Sequence, residues 1–257
     1  MDDAVLNSTA VKEGEDLIQI RGVEKRFERK DVHKGINLTV KKGEVLTLMG
    51  GSGTGKSVLL RSIIGLERPD AGSIHFHGID VTKLNEEKLV AVRKRVAYVF
   101  QYGALFDSYS VFENLAYPLR EHTKLDEAAI GKRVADALAA VGLAGSEQLL
   151  PADLSGGMQR RVGVARAIIL EPEVILYDEP TTGLDPYNTK QILRILLQLQ
   201  KQGVTSVLVT HDMHSIFEVT DRVAFLRAGK IQAIGTAKEI SDSPDKELQA
   251  FIRGETP

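Results

Sequence analysis

Cysteine is absent from this chain, which excludes disulfides and thiolate chemistry and fits a reducing compartment. Long hydrophobic runs are missing too. No apolar stretch approaches the roughly 18–20 residues that a helix needs to cross a bilayer. The apolar segment Ile192–Leu199 is broken by Arg194 and Gln198. Excess charge is lacking: 33 Lys and Arg stand against 35 Asp and Glu, a net charge of −2. General electrostatic attraction to nucleic acid is therefore not expected. The first residues carry Asp2, Asp3, Glu13, Glu15 and Asp16 and no apolar core of a secretory leader. Residues 1–16 read as a flexible acidic arm, so contact with a membrane would have to go through a partner. Internal repeats, coiled-coil heptads and low-complexity tracts are not found.

What remains is an ordinary globular composition. The 257 residues, 43% hydrophobic and 26% charged, suit one large domain or one domain with an inserted subdomain. Strand patterns fall at 17–23, 35–40, 45–49, 73–78 and 95–100, and a charged helix at Glu86–Arg95. From Val111 to about Gly142 the period turns helical, through Leu115, Leu119, Ile130, Val134, Leu138 and Val141. Helices at 159–170, 188–202 and 214–219 then alternate with strands at 174–177, 205–210, 222–227 and 230–234. That alternation predicts a mainly parallel, helix-covered sheet. From Ser241 a loop with one short helix is expected.

Gly50-Gly51-Ser52-Gly53-Thr54-Gly55-Lys56-Ser57 fits the phosphate-binding pattern G-x-x-x-x-G-K-[ST] between an apolar strand and a helix. Glycines let the backbone turn tightly and offer N–H groups to an anion, and the helix start adds unpaired donors. Lys56 would reach the β- and γ-phosphates, and the Ser57 hydroxyl would ligate Mg²⁺. Val174–Tyr177 is an apolar strand that runs into Asp178 and Glu179. The two acids thus emerge at the carboxyl end of a buried strand, where open α/β sheets bind ligands. Asp178 is placed for the Mg²⁺ shell, and Glu179 for polarising a water in line with the γ-phosphate. An apolar run ending in Asp-Glu is common by itself; the phosphate loop gives it meaning.

Leu154-Ser155-Gly156-Gly157-Met158-Gln159-Arg160 is a second anion nest at a helix start. It resembles the signature motif of ATP-binding-cassette (ABC) ATPases. Further stations of that family appear in order. Gln101 is similar to the glutamine that touches Mg²⁺ or the attacking water. Gly183-Leu184-Asp185 resembles the D-loop at the dimer interface. His211 resembles the switch histidine at the γ-phosphate, and Phe27 falls where the family stacks an aromatic on adenine. The resemblance spans about residues 17–240. It implies an α/β P-loop NTPase fold of ABC ATPase type: a RecA-like core, an antiparallel β-subdomain and an α-helical subdomain inserted at about 102–160. A tail follows at 241–257. It also implies ATP and Mg²⁺ as ligands and a head-to-tail homodimer in which Ser155, Gly156, Gly157 and Asp185 of one chain close over the other chain's ATP. Two departures are Val58, often Ser or Thr in relatives, and Gly51, often Pro.

The stretch Gly103-Ala104-Leu105-Phe106, with Val111 through His122, is similar to the ATPase subunits of Mla-type lipid transporters of Gram-negative bacteria. So are Arg93-Lys94-Arg95 and Phe251-Ile252-Arg253-Gly254. This resemblance implies a multi-span permease, an MCE-domain lipid-binding protein and a small accessory subunit as partners. It places the chain on the cytoplasmic face of the inner membrane, helping to maintain outer-membrane lipid asymmetry. A cassette for a polar-solute importer, or a non-transport ABC protein acting on nucleic acid or ribosomes, is the alternative. His75 and His77 read as a surface pair on one strand face, and His214 as structural.

Overall fold

The structure is a computed structural model that describes residues 11–28, 30–211 and 217–255. His214, the first half of the helix expected at 214–219, and residues 1–10 of the acidic arm lie outside the described residues.

Two sheets organise the chain. The smaller is antiparallel, in the order β2-β1-β4-β5, built from β1 (Asp16–Phe27), β2 (Lys30–Lys41), β4 (Ala71–Phe76) and β5 (Ile79–Asp80). The larger runs β10-β9-β3-β8-β7-β6. Its members are β3 (Val45–Met49), β6 (Val96–Val99), β7 (Val174–Asp178), β8 (Thr205–Val209), β9 (Arg222–Arg227) and β10 (Lys230–Thr236). All its pairings are parallel except β9 with β10. The expected α/β fold with a mainly parallel sheet is therefore present.

The middle strands β3, β7 and β8 are buried along their whole length. Side chains alternate between faces, so one strand feeds two cores. Val174 and Leu176 join a core with the small sheet and helices α1 (Lys56–Ile63) and α2 (Glu86–Arg95). Ile175 and Tyr177 join the opposite core with α3 (Val111–His122), α4 (Glu127–Ala140), α5 (Gly156–Ile168) and α6 (Pro186–Lys201). Residues 102–160 thus begin a helical layer, but the boundary at 160 falls inside α5. That helix continues because Val162, Val164 and Ala165 stay buried in the same core.

The two ends are tied down more than their composition suggests. Gly14 N–H donates to Lys42 O and Lys42 N–H to Glu15 O, so the chain is paired before β1 begins. These bonds hold residues 14 and 15 of the expected arm, both of which stay exposed. In the tail, α7 (Ala237–Ser241) is followed by α8 (Lys246–Ile252). Leu248 of α8 is fully buried with Met49, Val223 and Phe225, and the Phe251 ring lies 5.3 Å from that of Phe225.

The surface-pair reading of His75 and His77 is also wrong. β4 ends at Phe76, and His77 turns at φ +50°, so the two rings do not share a strand face. His77 is buried, and its Nε2 lies 2.9 Å from Glu173 Oε2, while Arg95 Nε donates to the other oxygen. Burial would raise the Glu173 pKa, but the hydrogen bonds and charges of His77 and Arg95 outweigh it and hold the carboxyl down to about 2. A depressed carboxyl stabilises the fold fully above its ordinary value of 4.5 and loses that contribution as pH falls toward 2. Urea midpoints measured across that range are expected to fall more steeply for the wild type than for Glu173→Gln, which has no carboxyl to protonate. Equal slopes would show that the cluster does not contribute.

Candidate functional site

Because β3, β8, β7 and β6 are adjacent and parallel, their carboxyl ends open on one edge of the sheet. The segments that follow them arrive in that order: Gly50–Ser57 after β3, Thr210 and His211 after β8, Asp178 and Glu179 at the end of β7, and Gln101 after β6. Strand adjacency alone gathers residues more than a hundred positions apart.

The loop 50–57 ends in α1, whose N-terminus has no side-chain cap and no acidic residue in its first turn. Its donors are left for an anion. Lys56 is buried, and its Nζ lies 2.8 Å from both Gly50 O and Gly51 O. Burial lowers the ammonium's pKa; Glu179 and Asp178 oppose that and favour its charge. Ser57 Oγ donates to Asp178 Oδ1 at 2.6 Å, and Tyr98 OH donates to Asp178 Oδ2 at 2.7 Å. Burial, then the bond to Asp178, pushes the Tyr98 phenol upward, so it stays a donor.

Glu179 stands at φ +50° with its N–H donating to Val209 O. Its Oε2 accepts from Thr182 Oγ1 at 2.9 Å and lies 3.3 Å from His211 Nδ1. A cleft of about 260 Å³ is lined by Phe27, Val32, Ser52, Gly53, Gly55, Lys56, Ser57, Val58 and Glu179. Phe27 is partly exposed there, with Lys25 Nζ 4.9 Å from its ring centroid. Thr54 Oγ1 donates to Gly51 O and braces the loop.

Ser155, Gly156, Gly157 and Asp185 do not line this cleft. Ser155 caps α5 by accepting from Met158 N–H. Asp185 caps α6 by accepting from Asn188 N–H, and Asn188 Nδ2 donates to its other oxygen. Those bonds to Asn188 hold the Asp185 carboxyl below its ordinary pKa. The two caps meet at one point: a Cβ on Gly157 would lie 2.3 Å from Asn188 Cγ, so a larger residue would displace the Asn188 side chain that bonds Asp185. Asn188 therefore joins Gly157 to Asp185, and neither of these two residues lines the cleft at the chain's own phosphate loop.

A larger cavity, about 670 Å³, opens at the opposite edge, between α4, the end of α5 and the start of β7. Among its charges, Arg133 pairs with Glu171, Glu173 pairs with Arg95 and His77, and Lys42 Nζ donates to Val11 O. It holds no phosphate-loop residue and is not the candidate site.

Tyr98 and Thr182 are site neighbours that reading the sequence missed. The signals were slight: one tyrosine in the strand Val96-Ala97-Tyr98-Val99, and a threonine three residues past Glu179.

The chain matches the family described as "ABC transporter" over residues 33–182. It is 40% identical over 245 residues to the intermembrane phospholipid transport system ATP-binding protein MlaF of Haemophilus influenzae, covering 94% of this chain and 92% of that protein. MlaF of Escherichia coli K12 is 41% identical, covering 93% and 89%. A Mycobacterium tuberculosis protein named as a probable ribonucleotide transport ATP-binding protein is 39% identical, covering 92% of this chain and 66% of its own length. Among solved structures, the dimeric cassette MJ0796 bound to ADP and Pi is 30% identical with a TM-score of 0.80, covering 86% of this chain and 98% of that one.

Proposed function

Since the chain belongs to the ABC transporter family, we propose that it is the ATP-hydrolysing motor subunit of a membrane transporter, most specifically one that moves phospholipid. The observation that carries the ATPase reading is the convergence of 50–57, 178–179 and 211 at one sheet edge.

Lys56 and the N–H groups of Gly51, Ser52, Gly53, Thr54, Gly55, Ser57 and Val58 bind the phosphates, and Phe27 stacks on adenine. Val58 supplies only its backbone N–H, having no hydroxyl. Ser57 and Asp178 place hard oxygens 2.6 Å apart beside the loop, and Gln101 adds a third at the neighbouring strand end. That donor set fits Mg²⁺, which keeps few protein ligands and takes the rest from phosphate and water. When bound, the ion neutralises phosphate charge. Glu179 accepts the proton of the attacking water, and His211 orients that carboxylate and contacts the γ-phosphate.

Ser155 to Gly157 do not line the chain's own cleft, which supports their use on a second copy. Two chains would pair head to tail, in keeping with the dimeric cassette of similar fold. ATP closes this interface and hydrolysis opens it, and a permease follows the motion. Phe106, Tyr109 and Tyr117 form an exposed aromatic cluster, with ring centroids 5.4 and 5.8 Å from Phe106, that suits a permease helix. Among the described residues no helix is long and apolar enough to cross a membrane. The permease would then anchor the chain at the cytoplasmic face of the inner membrane. An MCE-domain protein and a small accessory subunit complete the assembly.

The cargo reading rests on the 103–122 segment and on relatives named for phospholipid transport. The mycobacterial relative, nearly as similar but named for ribonucleotide transport, favours a polar-solute system as the second reading. Tagging the chain in its own cell, purifying the complex in mild detergent and identifying its proteins and lipids by mass spectrometry decides between them. An MCE-domain protein with bound phospholipid supports the first. A solute-type permease without lipid enrichment overturns it and leaves the ATPase reading intact.

A further inference from the structure

Inward positions of β2 are held by Ile36, Leu38 and Val40, and also by His33, which is only 2% exposed. A hydrocarbon side chain would fill this place without a polar atom to bury. Among the described residues the His33 ring has one hydrogen-bond partner for its two nitrogens. Its Nε2 lies 3.0 Å from Gly55 O, and its Nδ1 is buried with no hydrogen-bond partner. The proton therefore sits on Nε2, where an acceptor waits, and the lone pair on Nδ1. Burial pushes the pKa of this imidazole down, the bond to Gly55 opposes that, and the charge of Lys25 adds to the lowering. The ring stays neutral and acts as a single donor.

Its acceptor occupies a decisive place. Gly55 caps α1 at φ +99°, and its carbonyl also receives Leu59 N–H at 3.0 Å, the first bond of that helix. A Cβ on Gly55 would lie 2.4 Å from Val32 Cγ1 and 2.7 Å from His33 Nε2, so β2 presses directly on the loop. The carbonyl of Gly55 and the N–H of Lys56 belong to one rigid peptide plane and point in opposite directions. Whatever holds the carbonyl toward β2 aims the Lys56 N–H the other way, out of the loop.

We propose that His33 is a positioning residue for nucleotide binding: by donating to Gly55 O it sets the peptide plane that presents the Lys56 N–H, and the first turn of α1, to the phosphates. This rests on the reading of the cleft as an ATP site. His33 would not touch ATP; it acts through Gly55, lowering the reorganisation that binding otherwise requires.

Three variants of the full chain test this, with ATP as the probe. His33→Leu packs without a donor and is expected to raise the KM for ATP about fivefold, the worth of one neutral hydrogen bond. Its kcat should hold, and its Tm should hold or rise, since an orphaned buried nitrogen is removed. His33→Gln carries an amide N–H where the imidazole Nε2–H was and should return KM close to wild type. His33→Asn is too short to reach Gly55 and should behave like the leucine variant. A core role alone would make KM follow Tm rather than the donor. Wild-type KM in His33→Leu, or equal KM shifts in the leucine and glutamine variants, would overturn the proposal. Lys56→Ala is the control: if the wild type binds ATP and this variant does not, the ATP reading stands whatever the His33 variants show.

Discussion

Replacing Glu179 with Gln is expected to slow ATP turnover by about 10²–10⁴-fold, the contribution of a positioned general base, while ATP still binds. The substitution preserves shape. Thr182 Oγ1 still has an oxygen to donate to, and the residue's N–H still reaches Val209 O. Only basicity is lost. With hydrolysis blocked, the closed arrangement has no exit, so the variant should accumulate as an ATP-bound dimer. Sedimentation velocity should show a monomer, or a weak dimer, without nucleotide and a tight dimer with ATP and Mg²⁺. Full turnover in the variant would remove Glu179 from the base role. A tight dimer without nucleotide would remove ATP from its role at the interface.

Lys56→Ala should produce the opposite phenotype, weakening ATP binding itself by about 100-fold. Hydrogen bonds to charged groups are worth about 1.5–3 kcal/mol each, and Lys56 would make more than one. In the structure the ammonium is buried, held by Gly50 O and Gly51 O. Its desolvation is met on folding, so phosphate oxygens would meet a charge already withdrawn from water. That pre-arrangement is why the affinity loss should be large and the stability loss small: alanine also removes a buried cation whose pKa burial has depressed. Calorimetric titration measures the first and a thermal melt the second. Lys56→Ala should stay monomeric with ATP, and wild-type affinity in this variant would refute its phosphate role.

Features carried by local patterns were legible in the sequence. The charged helix at Glu86–Arg95 and the strand beginning at Val174 appear where periodicity and apolar runs placed them. The segments at 50–57 and 178–179 were visible because glycine spacing and strand-end acids are sequence-local, whereas Gln101 and His211 were singled out through the family resemblance. What joins them was not. Tyr98 and Asp178 bond across 80 positions, because β6 and β7 are neighbours in a sheet whose order the chain does not spell out. His77 was misread because one turn residue at positive φ reverses which way a ring points. The docking of Leu248 and Phe251 on β9 was hidden for a related reason. A short helix near the end of a chain looks like a loose tail until the surface it covers is known.

The backbone at Glu179 has a bearing on how such a chain can change over time. A side chain other than glycine at φ +50° costs about 1–2 kcal/mol, and the fold carries that strain at the residue proposed as the general base. Glycine there would relax the turn and raise heat tolerance while silencing the motor. Thermal endurance and turnover thus pull against each other at a single codon. Lineages kept by survival at high temperature alone would drift toward well-folded cassettes that hold ATP and do no work.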